Sequence, residues 1–79
     1  MMTPIQATVD ALRDAGLEPR VTWTILLGYV GLVLVYRGGQ LVAEVYVDHG
    51  RASVQRCAAH AAPAVHTALA TANGDVALA

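Results

Sequence analysis

The chain has no lysine, no phenylalanine, one cysteine and one tryptophan. Each shortage removes a class of molecule. A lone Cys57 cannot form an internal disulfide, and a reducing compartment fits such a chain. Five arginines against six acids leave a net charge of −1, so the basic footprint of a nucleic-acid binder is missing. The most apolar uncharged run, residues 21–36, holds 16 residues between Arg20 and Arg37. A membrane-spanning helix needs about 20, and this run also contains two glycines and two threonines. The first 15 residues carry acids and no basic opening, so they do not read as a signal peptide. Catalytic and metal signatures are lacking as well. His60 and His66 are six apart, not the three or four that put two ligands on one helix face. Gly38-Gly39 is followed by no GK[ST], so it is no phosphate loop.

What is present is apolar surface. Hydrophobic residues make up 56% of a chain of only 79 residues. A chain of that length forms one domain, near the size at which a lone core becomes marginal. Some apolar surface must therefore stay exposed or meet a partner, and a homodimer is one way to cover it. No cofactor is expected.

The chain is organised around residues 21–48, rich in Val, Ile, Thr, Tyr and Trp. Such side chains pack well on a pleated surface. Gly38-Gly39 between two apolar runs signals a two-residue hairpin turn. An unbroken ladder from that turn sets Arg37 opposite Gln40, Tyr36 opposite Leu41, Leu34 opposite Ala43 and Val30 opposite Val47. Side chains alternate across a strand. Val30, Leu32, Leu34, Tyr36, Leu41, Ala43, Val45 and Val47 then form the core face. Tyr29, Val33, Val35, Arg37, Val42, Glu44 and Tyr46 fall on or beside the other face and are the candidate protein interface. Tyr and Arg are favoured interface residues.

Thr3-Pro4-Ile5-Gln6 starts a helix over residues 3–16, with Thr3 as cap, Pro4 in the first turn and Gln6 closing a capping box. Ile5, Val9 and Leu12 form its buried stripe, and Gly16 ends it. The sheet occupies residues 20–48. Beyond the polar turn at residues 48–51 two readings compete. The favoured one is an alanine-rich helix over residues 53–72, kinked at Pro63. Val54, Cys57, Ala61, Val65 and Leu69 would then face the sheet. The other makes residues 52–57 a fourth strand, with the helix starting near Ala62. Residues 73–79 read as a loose tail. The expected fold is α+β: helix, three-stranded antiparallel sheet and kinked helix, with both helices packed on one sheet face.

That order resembles the double-stranded-RNA-binding domain. DALRDAGLEP is similar to the family's first helix and the turn after it. HGRASVQRCAAHAA is similar to its third-strand exit and second helix, with Gly50 and Ser53 near the family's glycine and serine. The resemblance implies a fold and not a ligand. The positions matching the phosphate-contacting lysines are Val54, Gln55 and Ala58, and the loop that reaches the minor groove is almost absent. A second likeness is one of format. A small, motif-free chain with 15 alanines and no lysine suggests a GC-rich bacterial or phage genome. It resembles the phage anti-CRISPR proteins, which often act by covering a surface of a larger effector.

Other residues carry plainer readings. His49 is a surface histidine, Asp10 and Asp14 lie on a solvated helix face, and Trp23 reads as a core anchor. Cys57 and His60 stand three apart, but with no third ligand a packed cysteine is expected. The functional expectation is a non-enzymatic protein-binding module in a bacterial host cytoplasm, of the anti-CRISPR-like inhibitor kind that the second likeness implies. Nucleic-acid binding through Arg37, Arg51 and Arg56 and a small membrane protein are the alternatives. On the unbroken ladder, charged residues at Tyr46 and Val33 should leave folding intact and abolish association, as read by size-exclusion chromatography.

Overall fold

The computed structural model describes residues 2–75. Helix α1 runs Pro4–Asp14 and helix α2 runs Ala62–Asn73. Between them lie four strands, β1 Glu18–Ile25, β2 Val30–Arg37, β3 Gln40–Asp48 and β4 Arg51–Cys57. They form one antiparallel sheet in sequential order. No helix is long and apolar enough to cross a membrane among the described residues.

Helix α1 forms for the reasons its sequence gives. The Thr3 hydroxyl accepts from the Gln6 N–H at 3.1 Å, and Pro4 sits in the first turn. Gln6 does not return to Thr3; its amide donates to Asp10 at 2.8 Å. At the far end the Leu17 N–H reaches the Leu12 carbonyl at 3.0 Å and the Gly16 N–H reaches Arg13 at 2.9 Å. That bonding pattern is a Schellman close, with buried Leu17 as its apolar plug. Helix α2 ends the same way, through Asp75 to Ala70 and Gly74 to Thr71.

The expected sheet of three strands is corrected to four. Residues 51–57 pair with β3 and are not helical. Pro63 does not kink a long helix: it lies in the first turn of α2, where a missing N–H costs nothing. A one-turn 3-10 helix over Ala59–Ala61 leads into it. The connection after β3 is a two-residue hairpin, with His49 and Gly50 both at positive φ. The expected tail is in part fixed. The Asn73 side chain accepts from the Ala52 N–H at 2.8 Å and donates to the Ala52 carbonyl at 2.9 Å. Arg51 pairs with Asp75 at 2.6 Å. Residues 76–79 lie outside the described residues.

The larger correction concerns the faces of β2. The Gly38-Gly39 turn is present, and Arg37–Gln40 and Tyr36–Leu41 pair as expected. Then the ladder slips. Val35 pairs with Ala43, so Val42 is an extra residue, a β-bulge. Because the side-chain period is two, one extra residue exchanges the faces of everything beyond it on the opposite strand. Val33 and Val35 are therefore core residues with no exposure, and Val42 is buried with them. All three are removed from the expected interface. Leu32, Leu34 and Tyr36, expected in the core, are only half-buried.

The ladder brings the residues of the inner face into rows. Val21, Val33, Val45 and Val54 form one, and Thr24, Gly31, Val47 and Ala52 another. Ile5, Val9 and Leu12 of α1 and Val65, Ala68 and Leu69 of α2 join Val33, Val35, Val45 and Val47 in one apolar cluster. Both helices thus lie on one face of the sheet. Gly31 admits the close approach of α1: a Cβ there would stand 2.8 Å from Ile5 Cδ1 and 2.7 Å from the Trp23 carbonyl oxygen.

The bulged register has a direct test. Val33→Asp places an unpaired charge in a dry core and should cost more than about 3 kcal/mol, enough to unfold a domain of this size. Leu34→Asp, one residue along, should cost about 1 kcal/mol and leave the fold intact. Urea titration followed by circular dichroism checks both. The reverse order, a large loss for Leu34→Asp and a small one for Val33→Asp, would restore the unbroken ladder.

Candidate interaction surface

Among the described residues no helix lies on the opposite face of the sheet. Its rows follow from the same ladder. Trp23, Leu32, Tyr46 and Ser53 form the first; Arg20, Leu34, Glu44 and Arg56 the second; Glu18, Tyr36 and Leu41 the third. Val30 shares this face and is buried, but stands outside the apolar cluster under the helices. The rings of Trp23 and Tyr46 flank Leu32, with centroids 6.1 Å apart and planes at 57°. The tilt lets the edge of one ring meet the face of the other. The Arg20 guanidinium lies 5.0 Å above the Tyr36 ring. Arg56 stands 4.0 Å from the Glu44 carboxylate, a loose pair at a strand edge. Most of the charge on this face is therefore stacked or paired, and the rings lie in the rows on either side of it.

Of the seven expected interface residues, Glu44 and Tyr46 lie on this open face. Arg37 is exposed at the hairpin end of the sheet. Tyr29 is exposed beside the loop that joins β1 to β2. Val33, Val35 and Val42 are inside. The structure adds Trp23, Leu32, Leu34, Tyr36 and Leu41. Trp23, expected as a core anchor, is 43% exposed. No sequence signal marks the bulge that puts these residues outward. The run VTWTILLGY did carry a signal, since it holds no charge although almost all of it is exposed.

That run ends in an unusual loop. Leu26 and Leu27 both adopt positive φ, at 53° and 55°, and Leu27 is 91% exposed. A branched side chain in the left-handed region costs about 1–2 kcal/mol. The loop is nonetheless held firmly. The Tyr29 N–H bonds to the Leu26 carbonyl at 3.1 Å, and the Gly50 N–H bonds to the Tyr29 carbonyl at 3.2 Å. Gly28, at φ 90°, lies so close to α1 that a Cβ would stand 2.7 Å from Thr3 Cβ. Folding alone would favour Gly or Asn at the tip; two leucines there are unexplained by packing within the chain.

Among the described residues the histidines and the cysteine are scattered. His49, His60 and His66 are exposed and lie on separate elements. His49 contacts Asp48 at 2.6 Å. Cys57 ends β4 and donates to the Ala58 carbonyl at 3.4 Å, while His60 falls in the 3-10 turn, so helical spacing no longer relates them. Among the described residues no three His, Cys, Asp or Glu side chains gather as metal ligands would. Arg51 is drawn above its ordinary pKa by its hydrogen bond and charge contact with Asp75. The segment similar to the second helix of the double-stranded-RNA-binding domain forms the β3–β4 turn, β4 and the 3-10 turn. Comparison with family models, curated proteins and solved structures finds no match for this chain.

The strain at the tip can be measured. Leu27→Gly removes a side chain that buries almost nothing and relieves the left-handed backbone. The urea midpoint should rise, by an amount equivalent to roughly 1 kcal/mol. A fall in stability would mean that Leu27 packs within its own chain.

Proposed function

We propose that this protein is a non-enzymatic protein-binding module whose contact surface is the open face of its sheet. One observation carries the reading: both helices pack on the same side, leaving Trp23, Leu34, Tyr36, Leu41 and Tyr46 on a side that no described element covers. A half-apolar face with aromatic side chains and tethered charge has the anatomy of an interface centre. The finer reading is a phage-type, anti-CRISPR-like inhibitor acting in a bacterial cytoplasm by covering a surface of a larger complex. A small body with one broad flat face supports it.

Nucleic-acid binding fits the face less well. Arg20 is stacked on Tyr36, Arg56 stands beside Glu44, and Arg51 is paired with Asp75. Few cations remain to displace counterions from a phosphate backbone.

The test is a double variant, Leu34→Asp with Tyr46→Asp. It should retain the far-UV spectrum and lose the host protein that the unaltered chain retains on an affinity column, identified by mass spectrometry. Duplex RNA titrated at low salt should show no binding. Retention of the same partner by the double variant would remove the open face as the site; salt-sensitive RNA binding would favour the alternative.

A further inference from the structure

We infer that β1 is a docking edge for a second copy of this chain, pairing antiparallel with its own counterpart about a two-fold axis at Thr24. The inference concerns the edge of the sheet; it shares Trp23 with the open face and leaves the Leu34, Tyr36, Leu41 and Tyr46 part of that face free in both copies.

The two edges of the sheet are not alike. At β4, the Asn73 amide occupies both the N–H and the C=O of Ala52, as a neighbouring strand would. Gln55 bulges from that strand, and Arg51 and Arg56 charge it. Bulges and charges are the usual means of blunting an edge. At β1, Pro19 and a bulge at Thr22 blunt the first half only. The second half, Trp23 to Ile25, is regular and without charge, and Ile25 is 56% exposed. An exposed apolar edge of this kind is a template for another strand.

Strand geometry selects the register. Trp23 and Ile25 lie on the same face, opposite Leu32 and Val30 of β2. Pairing about Thr24 sets Trp23 of each copy opposite Ile25 of the other, and Thr24 opposite Thr24. Aromatic–β-branched and Thr–Thr pairs are favourable cross-strand neighbours. The tip then falls over the partner copy's Val21, which is 42% exposed, and covers Leu27. Moving the axis to Trp23 would match Ile25 with Val21, which lies on the other face because of the Thr22 bulge. Moving it to Ile25 would run the ladder into the 3-10 turn. No charges are opposed in the Thr24 register, since Glu18 and Arg20 lie beyond the tip.

The strained leucine tip gains a role in this arrangement. Leu26 and Leu27 are preordered by Gly28 and Tyr29, so little freedom is lost on docking. The contact is short, at the low end of specific interfaces, so association on the order of micromolar is expected.

Trp23 is the sole tryptophan, so its emission reports this edge directly. Sedimentation velocity over a wide concentration range should show a monomer–dimer equilibrium, with Trp23 emission shifting to longer wavelength over the same dilution. Ile25→Lys, and independently Leu27→Glu at the most exposed position, should give monomers with unchanged far-UV spectra. On a Cys57→Ser background, Thr24→Cys should crosslink the dimer on mild oxidation, because opposed residues of antiparallel strands lie within disulfide reach. Thr22→Cys should not. A monomer at every concentration, or a dimer that persists in both charged variants or fails to crosslink at position 24, overturns the inference. A monomer that still binds a host protein through the open face would overturn it while leaving the proposed function standing.

Discussion

The molecule depends on one apolar seam, the contact of Val33, Val35, Val45 and Val47 with α1 and α2. A chain this short has material for a single core, and here that core is one layer thick. Two helices on one side of a four-stranded sheet seal one face, and no described element covers the other. The open face carries rings in its first and third rows, and its second holds charge in stacked or paired form.

The seam is set by a single inserted residue. Val42 lets Ala43, Val45 and Val47 stay inward while β2 turns Val33 and Val35 to meet them. Strand β2 carries apolar residues at consecutive positions, so either of its faces offers a core row to Ala43, Val45 and Val47 of β3. Packing volume decides between them. Compact valines and Gly31 lie under the helices, where Ile5 comes close, and Leu32, Leu34 and Tyr36 are turned outward. The larger side chains are left where space is unrestricted.

Much of this was legible in the residues. The cap at Thr3, the close at Gly16, the Gly38-Gly39 turn and the inward face of β3 all rest on local rules, and local rules are written within a few residues. The bulge was not legible, because it answers to packing between β2 and the helices, far apart in sequence. The fourth strand was obscured by alanine, whose helix preference masked the short alternation around Val54. Pro63 marked a beginning, but a proline signals a start only once the neighbours are known not to be helical. The candidate surface suffered most, since a register error by one residue exchanges inside for outside. Glu44 and Tyr46 survive on the open face because they lie on the strand whose inward face was read correctly.

The amide of Asn73 has a wider consequence. By filling the backbone positions at Ala52, it joins the Gln55 bulge and the charges of Arg51 and Arg56 in blunting one margin of the sheet, and β1 is left as the more open one. A slab with two sticky margins can stack without limit into a fibre. A slab with one can accept a single neighbour and then has nothing further to offer, so growth halts at the pair. For so greasy a chain, an asparagine on the last backbone groups of one edge is part of what separates assembly from precipitation.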